Sequence, residues 1–365
     1  MKQFAPKSKR NIQRILPFGL IWLLTSWVFL FTEYAAAGIQ SANFNGVIAL
    51  SPEIVVFSSF AVFLVGLAVG VLEVRFFGRL FQRYALGKKI LLKFIFYLCF
   101  ALIVILIFYP LAGAIETGKS PIHPNIWKKF GMYLTSISFV STMVQISFSL
   151  VCSLLYAAIS DSLGHNVLLN FFTGKYHMPT QEERIFMFLD MRDSTGIAER
   201  LGHREYFKLL KLYYQSMSDA IVNSSGEVYQ YIGDEVVVSW PLNKGLANAS
   251  CLKCFFGIKA SFQEKSENFK KEFGVMPTFK AGVHMGEVTT GEVGALKTEI
   301  VFTGDVLNTT SRIQSLYNEF KADLLISQAL HTRLKDPNTF GFKALGSLEL
   351  KGKKKSVTIL EVTRS

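Results

Sequence analysis

Apolar positions are distributed unevenly along this chain. Four long stretches almost free of charge, near Ile15 to Gly38, Ile54 to Leu72, Ile90 to Ala114 and Met132 to Ile159, occupy the first half, and each is about long enough to cross a bilayer as a helix. No such stretch recurs after Ser160. From Ser160 to Glu183 the chain turns polar around Gly164, Gly174 and Pro179, which predicts a connector. Beyond it the periodicity shortens. "RIFMFLD", Arg184 to Asp190, predicts a buried strand ending in a carboxylate, and the residues after it have helical spacing, with Ser194 or Thr195 as N-cap. Val228 to Trp240 predicts two strands meeting at a Gly233-Asp234 turn. A second helical stretch, about Gly245 to Phe273, leads to the strand "TFKAGVHMG" and then to a strand that passes through Gly304-Asp305 into a helix. "LELKGKKKSVTILEV" closes the chain as a hairpin with a basic turn. The pattern predicts an α-helical membrane domain of four transmembrane helices over residues 1–159, a linker over 160–180, and an α+β domain over 181–365 with helices covering one sheet.

Charge sharpens this division. A net charge of +12 would suit a polyanion if it were spread evenly, but residues 1–180 hold 15 Lys and Arg against 5 acids, which leaves only +2 for residues 181–365. Lys2, Lys7, Lys9, Arg10 and Arg14 precede the first stretch, and Arg75, Arg79, Arg83, Lys88 and Lys89 lie between the second and third. The first loop on the other side has no basic residue, and the second has Lys119, Lys128 and Lys129. This positive-inside asymmetry predicts a multi-pass protein of the cell inner or plasma membrane, its amino terminus and everything after the fourth span cytoplasmic, with the lipid bilayer and not nucleic acid as its partner. The first stretch exceeds a signal-peptide core and is read as a retained anchor. "GLAVG", Gly66 to Gly70, allows two spans to pack closely. Cys251 and Cys254 lack a second pair to complete a zinc site and are read as buried helix residues. The spans carry no histidine, and Glu33 and Lys93 are the ionisable groups assigned to them, which argues against a haem carrier and a transporter.

The chemistry lies in the second half. Asp190 ends one predicted strand and Asp234 tips the next hairpin, so if those strands pair, two carboxylates converge at one end of the sheet. Hard oxygen ligands of this kind suit Mg²⁺ or Mn²⁺, and a helix amino terminus just after Asp190 favours phosphate.

Four segments, "FLDMRDST", "YQYIGDEVVVSW", "FKAGVHMGEVTTGEVG" and "FTGDVLNTTSR", resemble in order and spacing the class III nucleotidyl cyclases, the adenylate and guanylate cyclase catalytic domains. The resemblance covers roughly residues 181–365, where it implies a ferredoxin-like α+β catalytic domain, and is silent on the membrane half. It implies that Asp190 and Asp234 bind two Mg²⁺ or Mn²⁺ ions per site, that Lys280 and Lys351 contact phosphates, that Asn308 orients the ribose and that Arg312 stabilises the transferring phosphoryl group. It also implies a homodimer with composite sites, the aspartates from one subunit facing Asn308 and Arg312 of the other, because one chain carries both sets. The purine would be read by Gln230, where lysine goes with ATP and glutamate with GTP, and at Val301, where aspartate or threonine is common. An amide can serve either purine and valine offers no hydrogen bond. The implied activity is a membrane-anchored adenylate cyclase making 3′,5′-cyclic AMP from ATP, with a guanylate cyclase using GTP as the alternative. A non-catalytic nucleotide-sensing receptor would be expected to lack an aspartate or the arginine, and this chain has them all.

Overall fold

The computed structural model describes residues 6–37, 48, 51–77, 84–335, 339–348 and 356–364. The chain forms two compact units, one over Ser8–Leu169 and one comprising Asn170–Ser365 with Met1–Lys7.

The first unit is helical. Its long elements are α1 (Pro6–Ala37), α2 (Pro52–Leu72), α3 (Leu86–Thr117) and α5 (Ile137–Leu163), each long and apolar enough to cross a membrane. Ser51 caps α2 by accepting from the Ile54 amide at 3.3 Å, with proline at the first helical position where its missing N–H costs nothing. The Gly66–Gly70 pair does meet a neighbouring helix: a Cβ on Gly66 would lie 2.7 Å from the Phe18 carbonyl oxygen of α1. Phe18, Trp22, Val65, Val69, Tyr97 and Leu150 pack around that crossing, and Trp22 Nε1 donates to Ser153 Oγ at 3.1 Å. Leu20, Leu24, Val28, Phe31, Val56 and Phe60 face outward.

Two expectations change here. The fourth apolar stretch does not run on from Met132, which belongs to a short helix, α4 (Pro124–Leu134). The chain breaks at Thr135, and the Ser136 hydroxyl starts α5 by accepting from the Phe139 amide. Hydropathy cannot see this break because its cause is a cap. The second span also carries an ionisable group, Glu73. Helix α2 continues as a π-helical turn, Glu73–Phe77, and there Glu73 accepts from Lys93 of α3 and, at 3.2 Å, from the Tyr97 hydroxyl. All three side chains are buried.

A short helix, α6 (His165–Thr173), leads into the second unit. There β1 (Thr180–Met191), β2 (Glu227–Ile232), β3 (Glu235–Pro241), β4 (Phe279–Val293), β5 (Glu299–Thr303), β6 (Leu324–Ser327), β7 (Phe340–Leu348) and β8 (Val357–Arg364) form one sheet among the described residues. The order is β2-β3-β1-β4-β6-β8-β7, with β5 on β4; β4 and β6 are parallel and the other pairs antiparallel. Alternation along β1 sends Ile185, Met187 and Leu189 to one face, beneath α7 (Ser194–Asn223), α9 (Ser250–Glu264) and α10 (Ser266–Phe273). Cys251 and Cys254 are buried in that core as free thiols, burial pushing both up to about 12. Phe186 and Phe188 point the other way, to Val306 of α11 (Asp305–Ser315).

The second helical stretch is broken. After a short α8 (Leu242–Leu246), Asn248 and Ala249 take left-handed backbone angles before α9 begins. Helix α7 has Asp193 at its cap position, also left-handed and without a capping side-chain bond. Ser194, an expected cap, turns its hydroxyl to Asp234 instead. The basic turn of the last hairpin, with Lys351, lies outside the described residues.

Candidate active site

Strands β1 and β3 pair with Leu189 opposite Val236, so the next residues outward, Asp190 and the Gly233-Asp234 turn, come to one end of the sheet. Gly233 has φ 63°, a conformation glycine adopts without strain, and the Tyr214 hydroxyl of α7 donates to its carbonyl. Asp190 stands close enough to Asp234 to oppose its ionisation: burial first, then the Asp190 carboxylate, raises the Asp234 carboxyl, while the Ser194 hydroxyl pulls the other way. Asp234 Oδ2 is buried with no hydrogen-bond partner. Glu235, the first residue of β3, is pushed up to about 7 by burial, then by Asp190 and Asp234, against a lowering by Lys280. Three tyrosines of α7, Tyr206, Tyr213 and Tyr214, are raised first by burial; Asp234 adds to all three and Asp190 to Tyr206 and Tyr213.

Lys280 stands opposite Asp190 across the β1–β4 ladder and reaches its Oδ2 at 3.3 Å. Of the residues singled out from sequence, Asp190, Asp234 and Lys280 therefore form one cluster, to which the fold adds Glu235 and, from α11, Gln314. Gln314 Nε2 donates to Asp190 Oδ2 at 3.1 Å. Neither addition has a sequence motif of its own. The available clue to Gln314 was Gly282 on β4, where a Cβ would come within 2.5 Å of the Gln314 backbone nitrogen.

Asn308 and Arg312 are four apart on α11, off its buried side, which is made by Val306, Thr309, Thr310, Ile313 and Gln314. Among the described residues no side-chain hydrogen bond or ion pair engages either one, so within one chain they are not joined to the carboxylates. Gln230 and Val301 flank a contact between strands: Tyr229 and Phe302 lie 4.8 Å apart ring to ring, and the Phe302 amide donates to the Tyr229 hydroxyl at 3.4 Å. A β-bulge at Tyr229 sends two successive side chains to one face of the sheet, Tyr229 into the core beside Phe302 and Gln230, opposite Val237, beyond it and exposed.

A family model described as the adenylate and guanylate cyclase catalytic domain matches residues 177–361, more than half of the chain. The chain belongs to this family. It is 33% identical over 205 residues to adenylate cyclase 2 of Rhizobium meliloti (strain 1021), a match covering 56% of this chain and 56% of that protein. With an adenylate cyclase of Anabaena cylindrica it shares 24% identity over 271 residues, 69% of this chain and 51% of that one. The chain thus spans about half the length of these relatives. A solved bacterial light-regulated adenylyl cyclase has the same fold, with a TM-score of 0.54 at 18% identity over 63% of this chain and 67% of that chain.

Within this cyclase domain the acidic cluster fits a divalent cation. Asp234, its carboxyl raised by burial and by Asp190 and one of its buried oxygens orphaned, stands with Asp190 and Glu235 around a single ion-paired cation, Lys280, so acids outnumber the cation among the described residues. Among the described residues no three His, Cys, Asp or Glu side chains form a ready ligand set. A pair of acids with room for water and phosphate oxygens suits Mg²⁺ or Mn²⁺ better than a closed transition-metal cage.

Proposed function

We propose that this chain is a membrane-anchored adenylate cyclase that converts ATP to 3′,5′-cyclic AMP and pyrophosphate, working as a homodimer with composite sites. The observation that carries this reading is the convergence of Asp190 and Asp234 beside Lys280, while Asn308 and Arg312 of the same chain face away and unengaged. Asp190 and Asp234 would hold the ions. When bound, Mg²⁺ or Mn²⁺ lowers the pKa of the ribose 3′-hydroxyl and screens the phosphates. Lys280 binds phosphate oxygens on the leaving side, and Lys351 has the same assignment. The partner subunit's Asn308 orients the ribose so that its 3′-oxygen lies in line with the α-phosphorus. The partner subunit's Arg312 donates to the oxygens on which charge builds as the bond to pyrophosphate breaks. The four apolar helices, with apolar side chains facing outward, support a bilayer anchor, and the distribution of basic residues supports a cytoplasmic catalytic domain.

Gln230 and Val301 leave the purine incompletely specified, which favours a second reading, a guanylate cyclase with the same machinery. Purified full-length protein, assayed with ATP and with GTP under Mg²⁺ and Mn²⁺, should form cyclic AMP faster than cyclic GMP; absence of both products would overturn the cyclase reading. Mixing the inactive Asp190→Ala and Arg312→Ala chains should restore roughly a quarter of wild-type turnover, since about half of randomly formed dimers are mixed and each has one intact site. No recovery in demonstrated mixed dimers would refute the composite site.

A further inference from the structure

We infer that Gln314 is a positioning residue of the metal site, acting within its own chain to hold Asp190 in the orientation that receives the cation. The inference rests on the reading of Asp190 as a metal ligand and names the group that sets its geometry. Gln314 is 6% exposed and sits 124 positions from Asp190 in sequence, yet its amide nitrogen lies 3.1 Å from Asp190 Oδ2. Lys280 Nζ approaches that same oxygen at 3.3 Å. Two donors on Oδ2 restrain rotation of the carboxylate about its Cβ–Cγ bond and leave Oδ1 to turn towards the ion. The two donors differ in charge. Lys280 neutralises and is assigned to phosphate, so it has another ligand to serve once substrate arrives. The Gln314 amide orients the carboxylate and leaves its full negative charge in place, which suits a group supporting a metal ligand.

The fold provides this contact through a close approach. Gly282 lies beneath α11, and a Cβ there would stand 2.5 Å from the Gln314 nitrogen and 2.8 Å from its Cα. Any larger residue would lift the helix and with it the amide. Two positions before Gln314, on the other side of the helix, Arg312 points away from its own Asp190. One helix therefore serves its own chain's metal carboxylate from its buried side and the partner's site from its outer side.

Gln314→Met keeps the volume and removes the donor. In full-length protein without nucleotide, Mn²⁺ binding followed by electron paramagnetic resonance should weaken about 10- to 100-fold, the range for lost support of a metal ligand. The Mn²⁺ concentration giving half-maximal turnover should rise in parallel, while KM for the ATP–metal complex changes less than threefold or so and the melting temperature stays near wild type. Asp190→Ala is the control. If it leaves Mn²⁺ binding intact, the metal assignment itself fails; if it abolishes binding while Gln314→Met binds Mn²⁺ like wild type, the positioning role of Gln314 is overturned. In mixed dimers, Gln314→Met should be damaging when carried on the chain that supplies Asp190. Equal damage from the chain that supplies only Arg312 would show that the residue acts through α11 as a whole, contrary to the inference.

Discussion

Strand β1 carries a charged cluster at each end, and the two are built on opposite principles. Near its start, Arg184 is 2% exposed and donates to Glu182 at 3.2 Å, to Glu227 at 2.8 Å and to Ser239 at 3.0 Å, its guanidinium 4.6 Å from the centre of the Phe302 ring. Glu182 also accepts from the Tyr176 and Thr290 hydroxyls. Burial alone would raise the Glu182 carboxyl, but these bonds and Arg184 outweigh it and hold it below the ordinary value. At the other end of the strand, Asp234 and Glu235 are held above theirs. Carboxylates of comparable burial shift in opposite directions because one set is matched by the protein and the other is not. A cluster whose acid is held ionised by its neighbours is architecture; one whose acids are held above their ordinary values is suited to something positive.

The largest break in this comparison should come from Asp190→Ala, which is expected to lower cyclase turnover by at least about 10³-fold, equivalent to roughly 4 kcal/mol in the barrier. The domain should stay folded by circular dichroism, and turnover within tenfold of wild type would exclude a metal role. Arg184→Ala should do the reverse, acting on stability because it leaves the half-buried Glu182 and Glu227 without their cation, at a cost below the roughly 3–5 kcal/mol of a fully buried pair. Denaturant unfolding would measure it, and a loss under about 1 kcal/mol would show that the network is ornamental.

Base selectivity should respond less. A hydrogen bond to a charged partner contributes roughly 1.5–3 kcal/mol against about 0.5–1.5 for a neutral one, so Gln230→Lys should shift the kcat/KM ratio toward ATP, and Gln230→Glu toward GTP, by about tenfold. Unchanged ratios in both would remove Gln230 from purine recognition.

The smallest effect is in the pH dependence of stability, where the two ends should differ in sign. Glu235 has a folded value of about 7, so the native state holds a proton that the unfolded chain releases at lower pH, and stability falls as pH rises from the ordinary glutamate value towards about 7. Glu235→Gln should therefore stabilise metal-free protein at about pH 8, by about 1 kcal/mol after discounting for solvent screening, and do nothing near pH 4. Glu182 is depressed, so its stabilisation is present above the ordinary value and is lost as pH falls through the folded one; Glu182→Gln should destabilise at neutral pH and lose that effect in acid. Melting curves at both pH values with the same sign for the two variants would collapse the comparison.

What was legible in the sequence was whatever depends on local spacing. Long apolar runs mark the four long helices, a short one marks β1, alternation marks the hairpin, and the acids at Asp190 and Asp234 need only the β1–β3 pairing to meet. What was hidden depends on contacts between distant segments. Gln314 reads as one more polar residue on a helix until α11 is laid on Gly282, and Glu73 reads as the polar end of a span until Lys93 is brought against it. The bulge at Tyr229 leaves no mark in composition, although it decides that Gln230 shares a face with its neighbour. Ser194 reads as a cap by spacing alone, whereas in the fold Asp193 takes the cap position and the Ser194 hydroxyl serves Asp234.

The Glu73–Lys93 pair bears on how this protein is made. Near the ends of their spans, each side chain by itself would cost less than the roughly 2.5–3.5 kcal/mol of a charge at a helix centre, yet both are enclosed by protein: Glu73 is 5% and Lys93 2% exposed, with Tyr97 closing the second carboxylate oxygen. With the spans in a bilayer as proposed, α2 is incomplete as an insertion substrate until α3 has left the ribosome. On that reading the two helices would partition as a pair, and the number of residues between Glu73 and Lys93 sets how long a growing chain must wait with a lone acid at the membrane.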